Sequence, residues 1–144
     1  MRVINTFIAR SLKWFLLLFG ALTCATLPFA LDITLLTPFL GGLVDYTPAS
    51  VPALRHWGIM VFGIGVLMIV AAFRPWLRFE TMLFSAIEKG FMVWLVLVSW
   101  QEPWAIGYLA PFLLDATIVA YSLLYFISSE GRPRRWSLRP ASAN

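Results

Sequence analysis

The chain has 144 residues, of which 60% are hydrophobic and only 12% are charged. An average soluble domain has about a quarter charged residues and under half apolar ones, so this composition excludes an ordinary soluble globular domain. A membrane-spanning helix needs roughly 20 residues, which leaves room for four spans joined by short connections. We therefore expect an all-α, four-helix transmembrane bundle that forms one compact domain.

The net charge of +4 is spread over the segments that flank the apolar runs. Most bases precede the first run, separate the second from the third, or follow the fourth: Arg2, Arg10, Lys13, Arg74, Arg78, Arg132, Arg134, Arg135 and Arg139. The opposite side holds only Arg55. Because cytoplasmic loops are rich in Lys and Arg, both termini and the middle loop are predicted to be cytoplasmic. The dispersed bases argue against nucleic acid as a partner and favour the lipid bilayer, with anionic lipids at the basic tail.

In chain order, the membrane domain is predicted to cover residues 1–127 and a basic cytoplasmic tail residues 128–144. The four spans are expected at about residues 12–31, 57–73, 79–100 and 104–127. The first run follows a basic start without a clear A-x-A cleavage site, which indicates an uncleaved anchor with a kink at Pro28. Prolines and a Gly-Gly pair exclude a further continuous span before the second run. Residues 35–44 are expected to lie over the outer face of the bundle or, as an alternative, to form a re-entrant segment.

The last two spans form a hairpin in which depth can be counted from two tryptophans. Trp100 and Trp104 flank a polar turn, and tryptophan side chains favour the headgroup level of a bilayer. Lys89 and Asp115 each lie eleven residues inward from the nearer tryptophan. At about 1.5 Å per residue this places both near the bilayer centre, roughly 16 Å deep. Since an unpaired charge is costly there, we expect an ion pair between them.

Two neighbours of Lys89 on the third span are further candidates for the same polar layer. Glu88 is adjacent in sequence, hence about 100° around the helix from Lys89, and is expected not to face the same point. Two states are open to it: a neutral carboxyl group, or one that shares the polar pocket through a hydroxyl or a water. Ser85 precedes Glu88 by three residues and Lys89 by four, a spacing that allows a hydrogen bond to either.

The fourth span adds further polar groups at helical spacing from Asp115. Tyr108 and Ser122 lie seven residues before and after it, and are expected on the same face. Pro111 lies one turn before Asp115, and proline removes a helix hydrogen bond. The Gly107 carbonyl is therefore predicted to be free as an extra acceptor on a bent helix.

A buried layer of Glu88, Lys89, Asp115, Ser85 and Tyr108 is compatible with three functions. The first, which we favour, is a structural or accessory subunit in which the layer only fixes helix pairing. The second is a binding protein or membrane enzyme for a quinone or lipid-like molecule, in which Glu88 or Asp115 transfers a proton. The third is a small proton-coupled exporter, which is disfavoured because Lys89 would hold one carboxylate ionised.

The sequence predicts no cofactor and no metal site. His56 is the only histidine and has no clustered ligands near it, and Cys24 is the only cysteine, which excludes an internal disulfide. The expected partners are the bilayer and either another membrane subunit or further copies of the chain.

The second and third spans and the loop before them carry a resemblance to a known group of proteins. The residues that carry it are Val51-Pro52-Ala53-Leu54-Arg55, Gly58, Gly63-Ile64-Gly65, Arg74-Pro75 and Glu88-Lys89. This stretch resembles the small four-helix membrane proteins grouped as DoxX-like. The resemblance implies a four-helix bundle in a bacterial-type inner membrane. DoxX is associated with a quinone-reducing complex, but this chain has no redox motif, and we do not transfer that activity.

Overall fold

A computed structural model describes residues 2–43 and 45–131 of the chain, and this part is helical without strands. In chain order the α-helices are α1 (Arg2–Cys24), α2 (Leu27–Leu31), α3 (Leu36–Phe39), α4 (Val51–Phe73), α5 (Arg78–Val98), α6 (Pro103–Gly107) and α7 (Leu109–Ile127). Turns of 3-10 helix, Ile33–Leu35 and Pro75–Leu77, precede α3 and α5. Val44 and the four arginines of the predicted basic tail lie outside the described residues.

Four helical segments are long and apolar enough to cross a membrane, as the sequence predicted. They are Arg2–Leu31, Val51–Phe73, Pro75–Val98 and Leu109–Ile127. Large apolar side chains such as Leu18, Phe84 and Leu123 point outward from these segments. Lipid tails are as apolar as leucine, so such a surface suits a membrane-embedded helical protein.

Two of the spans begin earlier than expected, and prolines lie in the first turns of α2 and α4. α1 begins at Arg2 instead of residue 12, and α4 begins at Val51 instead of residue 57. Pro52 lies in the first turn of α4, where the missing N–H costs no helix hydrogen bond. In place of the kink predicted at Pro28, the first span has a two-residue interruption at residues 25–26: α1 ends at Cys24, and Pro28 occupies the first turn of α2.

α1 and α4 run antiparallel and come into close contact at two glycines. A Cβ atom at Gly65 would lie 2.7 Å from the Gly20 carbonyl oxygen and 2.8 Å from the Cys24 nitrogen. A Cβ atom at Gly20 would lie 2.9 Å from the Gly65 carbonyl oxygen. The two backbones can approach this closely only because both positions lack a side chain. Gly63, by contrast, faces open space.

The main core lies where the four long helices meet, towards the end of the bundle at which α1 begins. Its buried members are Ile8, Leu12, Phe15, Leu16, Met68, Ala71, Ala72, Met82, Ile118, Tyr121 and Tyr125. The Phe15 and Tyr121 rings stack with their centroids 3.6 Å apart. The Tyr121 hydroxyl lies 2.7 Å from Ser11 Oγ, which itself donates to the Phe7 carbonyl, so Tyr121 is the donor. These contacts join α1 to α7.

A second cluster of apolar side chains, the outer cluster, lies at the opposite end of the bundle. Its members are Phe29, Leu36 and Leu40, with Ile33, Leu54, Trp57 and Tyr108 packed against them. After α3 the chain turns at Gly41 and Gly42, whose φ angles of 69° and 72° favour glycine. The segment between α2 and these glycines contains only the 3-10 turn Ile33–Leu35 and the four-residue helix α3, which are too short to span a membrane. The buried side chains of Leu36 and Leu40 attach this segment to the bundle.

Arginine side chains satisfy carbonyl groups at the ends of two helices. The final carbonyls of a helix have no N–H partner within the helix itself. Arg78 donates from Nε to the Ala71 carbonyl and from Nη2 to the Ala72 carbonyl, each at 3.2 Å. Arg55 donates from Nε to the Ala30 carbonyl at 2.7 Å. Carbonyl groups at the C-terminal ends of α4 and α2 therefore each accept hydrogen bonds from an arginine that lies outside that helix.

Candidate functional site

The ammonium group of Lys89 lies between two carboxylates in the middle of the α5–α7 pair. Its Nζ atom is 3.0 Å from Glu88 Oε2 and 3.2 Å from Asp115 Oδ1. The side chains of Lys89 and Asp115 are only 4% and 7% exposed, whereas that of Glu88 is 30% exposed. We call these three residues the ionic triad. The predicted ion pair between Lys89 and Asp115 is confirmed.

The expectation that Glu88 cannot reach the same point as Lys89 is wrong. The two residues do leave α5 in directions about 100° apart, as consecutive helical residues must. Both side chains are long and flexible, however, so their charged ends converge although their Cα–Cβ bonds diverge. A prediction based on the helical wheel alone misses this, because the wheel records the direction of the first bond and not the reach of the side chain.

The triad contains one more negative group than positive groups. With all three groups ionised, its net charge is −1, and bringing ions out of water is expensive unless each is paired and hydrogen-bonded. Within the described part of the chain, Glu88 Oε2 is buried and has no hydrogen bond besides its 3.0 Å ion-pair contact with Lys89 Nζ. The triad is thus tightly packed around Lys89 but incompletely satisfied at Glu88.

Ser85 is fully buried beside the triad, and its hydroxyl has no hydrogen-bond partner among residues 2–43 and 45–131. The bond that its spacing allowed, to Glu88 or Lys89, is therefore not formed. Thr81, one turn earlier on α5, is also buried with an unpaired hydroxyl in this part of the chain. Sequence reasoning missed Thr81, although its position four residues before Ser85 and eight before Lys89 marks one helix face.

These unpaired hydroxyls contrast with others on the same helical bundle. Thr117 donates to the Leu113 carbonyl and Ser122 to the Ile118 carbonyl, each at 2.8 Å. Such bonds to the preceding turn are the usual way for a helix to satisfy a hydroxyl in an apolar environment. Ser122 shares the buried face of α7 with Asp115, as predicted, but its hydroxyl is bonded within its own helix.

Tyr108 belongs to the other end of the bundle rather than to the triad. The predicted fourth span is divided at this residue, which separates α6 from α7. Its ring packs in the outer cluster and meets the Trp104 ring at 5.8 Å. Pro111 lies in the first turn of α7, where it bends no continuous helix. Tyr108 therefore lies in the break between α6 and α7 and packs against the outer cluster.

Two cavities of the described chain are lined by residues outside the triad. One of about 710 Å³ lies along the N-terminal half of α1, between Arg2 and Trp14. The other, of about 420 Å³, lies between residues 39–43 and residues 106–113 and is lined mainly by apolar side chains. Neither cavity includes Ser85, Glu88, Lys89 or Asp115.

The geometry supports three kinds of chemistry at the triad. It can link α5 to α7 through ion pairs, take a proton on a carboxylate, or attract a further cationic group at the half-open Glu88. No group of three His, Cys, Asp or Glu residues suited to a metal ion occurs among the residues that the structure describes. The resemblance to DoxX-like proteins stays a prediction, because no protein-family model, curated protein or solved structure matches this chain.

Proposed function

We propose that this chain is a non-catalytic integral membrane protein, a structural or accessory subunit in which the ionic triad fixes α5 against α7. The observation that carries this proposal is the position of the Lys89 ammonium, which is almost fully buried between carboxylates of both helices. In lipid, apolar side chains gain little by leaving their surroundings, so helix pairing depends on packing and polar contacts. A buried ion pair that joins two helices fixes which helix faces which and at what height.

We further propose that the protein lies in a bacterial-type inner membrane with the start of α1 on the cytoplasmic side. Arg2, Arg10 and Lys13 are on α1, and Arg74 and Arg78 are at the turn between α4 and α5. The main core joins these regions at one end of the bundle, and cytoplasmic ends are usually rich in such bases. Anionic lipids remain the proposed partner of the basic tail.

Cysteine labelling tests this orientation. In a Cys24→Ala background, Asp45→Cys and Ser129→Cys each provide one thiol at opposite ends of the bundle. A membrane-impermeant maleimide applied to spheroplasts is expected to label position 45 at once and position 129 only after the membrane is permeabilised. The reverse pattern would place the start of α1 outside.

A second function, binding of a quinone or lipid-like molecule, is favoured by one observation. The Glu88 side chain is 30% exposed, and the buried Ser85 hydroxyl, one turn before it on α5, has no hydrogen-bond partner within the described residues. A ligand hydroxyl would donate to the partly exposed Glu88 carboxylate, a ligand carbonyl would accept from the Ser85 hydroxyl, and a carboxylate is also a competent proton acceptor.

Native mass spectrometry of the protein extracted in its own lipids separates the two functions. The accessory-subunit function predicts a retained partner chain and no stoichiometric small molecule. A lipophile that is retained by the unaltered protein and lost in both Glu88→Gln and Asp115→Asn would overturn it in favour of ligand binding. A bare monomer would also contradict the accessory-subunit function and leave the triad only its role within the bundle.

A further inference from the structure

We propose that the Glu88 side of α5 docks a transmembrane helix of a partner chain, and that this helix carries one basic residue near the bilayer centre. The inference rests on the accessory-subunit function and names the chemistry of the partner. Two features of α5 carry it: an excess carboxylate that is open at one edge, and an exposed apolar stripe beside that edge.

The charge argument concerns the carboxylate that Lys89 does not neutralise. One ammonium group faces two carboxylates, and only Glu88 has a partly exposed side chain. Lipid tails provide neither a counter-charge nor a hydrogen-bond donor, so the open edge of the triad is energetically costly. A cation brought by a neighbouring helix would make the site neutral by pairing with the partly exposed Glu88 side chain.

The exposed stripe gives the neighbouring helix a surface for packing. We define it by five exposed apolar residues of α5: Phe84, Ile87, Phe91, Trp94 and Val98. They follow one another at alternating intervals of three and four residues, the spacing with which one helix packs along another. The stripe runs for about 21 Å along the helix, and Glu88 lies next to Ile87 and one turn after Phe84.

The two features together favour a helix over a small lipophilic cation. A small cation would use the charge of Glu88 but little of the stripe, whereas a helix contacts both at once. A second copy of this chain is a poorer match, because Lys89 is the basic residue at mid-depth in the described residues and is already enclosed. The occupant that fits is therefore a different chain with a Lys or Arg roughly 16 Å inside the membrane.

Synthetic helices test this inference with the full chain in phosphatidylcholine liposomes. Three polyleucine transmembrane peptides are compared: one with a single central lysine, one with the lysine displaced by two turns, and one without lysine. Binding is measured by energy transfer between a donor on the protein and an acceptor on each peptide. The central-lysine peptide is expected to bind about tenfold more tightly than the peptide without lysine, and the displaced lysine to lose most of this gain.

Substitutions on α5 assign the effect to the proposed face. Glu88→Gln is expected to remove the preference for the central lysine, whereas Glu80→Gln, which neutralises an exposed carboxylate at the start of α5, should preserve it. Phe91→Ala is expected to weaken the binding of all three peptides, because it removes an exposed aromatic ring from the middle of the apolar stripe. The peptide series on the unaltered chain remains decisive even where a variant fails to fold.

Several results would overturn the inference. These are equal binding of the three peptides, an unchanged lysine preference in Glu88→Gln, or displacement of the lysine peptide by tetraphenylphosphonium at equal concentration. Energy transfer between two labelled copies of this chain that persists in Glu88→Gln would assign the stripe to self-association. None of these results affects the link between α5 and α7, which is tested separately by the stability of triad variants.

Discussion

The two main helix pairs of this bundle are held together by opposite means. α1 meets α4 at Gly20 and Gly65, where the absence of side chains lets the two backbones touch. α5 meets α7 through a lysine that contacts carboxylates of both helices. The first pair relies on shape and the second on charge, although both must work in the same membrane.

The two contacts differ in whether a further group can still bind to them. Close backbone packing is complete in itself, since nothing else can enter the space between Gly20 and Gly65. An ion cluster with two acids and one base is not complete, because a proton or a further cation can still join it. The glycine contact therefore suits a purely structural role, and the triad is the place where structure can be coupled to binding.

The largest effect on stability is expected from a substitution that breaks the ion pairs of the triad. Lys89→Met would leave two carboxylates without their base, and such a loss typically costs about 3–5 kcal/mol of stability. Unfolding in mixed micelles by a denaturing detergent measures it, with the exposed Lys13→Met as the control. Because Glu88 also contacts Lys89, full recovery requires the triple change Glu88→Gln, Lys89→Met and Asp115→Leu. A triple variant no more stable than Lys89→Met would contradict the structural role of the triad.

The next effect concerns the glycine contact. Gly65→Ala would place a Cβ atom against backbone atoms of Gly20 and Cys24, which cannot move without shifting α1. Overpacking of this kind costs about 1–3 kcal/mol. Gly63→Ala is the matched control in the same helix, because its Cβ atom meets open space and alanine favours a helix by up to about 1 kcal/mol. Equal stability of the two variants in the unfolding assay would refute the proposed close contact.

A smaller effect is expected for the hydrogen bond that joins the two pairs. Tyr121 donates to Ser11 between α7 and α1. Interhelical hydrogen bonds in membrane proteins contribute about 0.6 kcal/mol on average. A double-mutant cycle of Ser11→Ala and Tyr121→Phe should give a coupling energy of this order. Strictly additive losses would mean that the hydroxyl groups do not stabilise each other.

The smallest effect lies outside the spans, at the start of the loop before α3. The Thr34 hydroxyl and backbone N–H both donate to Asp32, and they lower the pKa of its carboxyl group. A lowered pKa in the folded state stabilises the fold above the ordinary pKa of aspartate, and this stabilisation is lost as the pH falls through the lowered value.

Thr34→Val removes the hydroxyl bond and is expected to raise the pKa of Asp32 towards its ordinary value. Titration of the carboxyl carbon by NMR in micelles measures the change, with Thr37→Val in the neighbouring helix α3 as a control. The effect on stability should be slight because Asp32 is exposed to solvent. An unchanged titration curve would argue against the hydroxyl bond.

Counting residues along the helices predicted the depth of the ion pair between Lys89 and Asp115 but not the contact that Glu88 makes with Lys89. Lys89 and Asp115 were paired correctly because helix rise and tryptophan position fix depth. Glu88 was correctly predicted to belong to the polar layer, but its direct contact with Lys89 was missed, because side-chain reach cannot be read from a helical wheel. Tyr108 was predicted on the Asp115 face of one continuous helix, but the helix is interrupted at this residue, and Tyr108 packs against the outer cluster.

The sequence by itself determined that the described chain is helical, that four helices are apolar enough to span a membrane, and that Lys89 and Asp115 lie at one depth. These properties follow from local composition and from a fixed rise per residue. Only the tertiary structure decided that Gly65 and not Gly63 contacts α1, that Glu88 joins the triad, and that Ser85 stays unpaired. Those outcomes depend on the rotation of each helix about its axis, which is set by neighbouring helices and not by the residues of the helix alone.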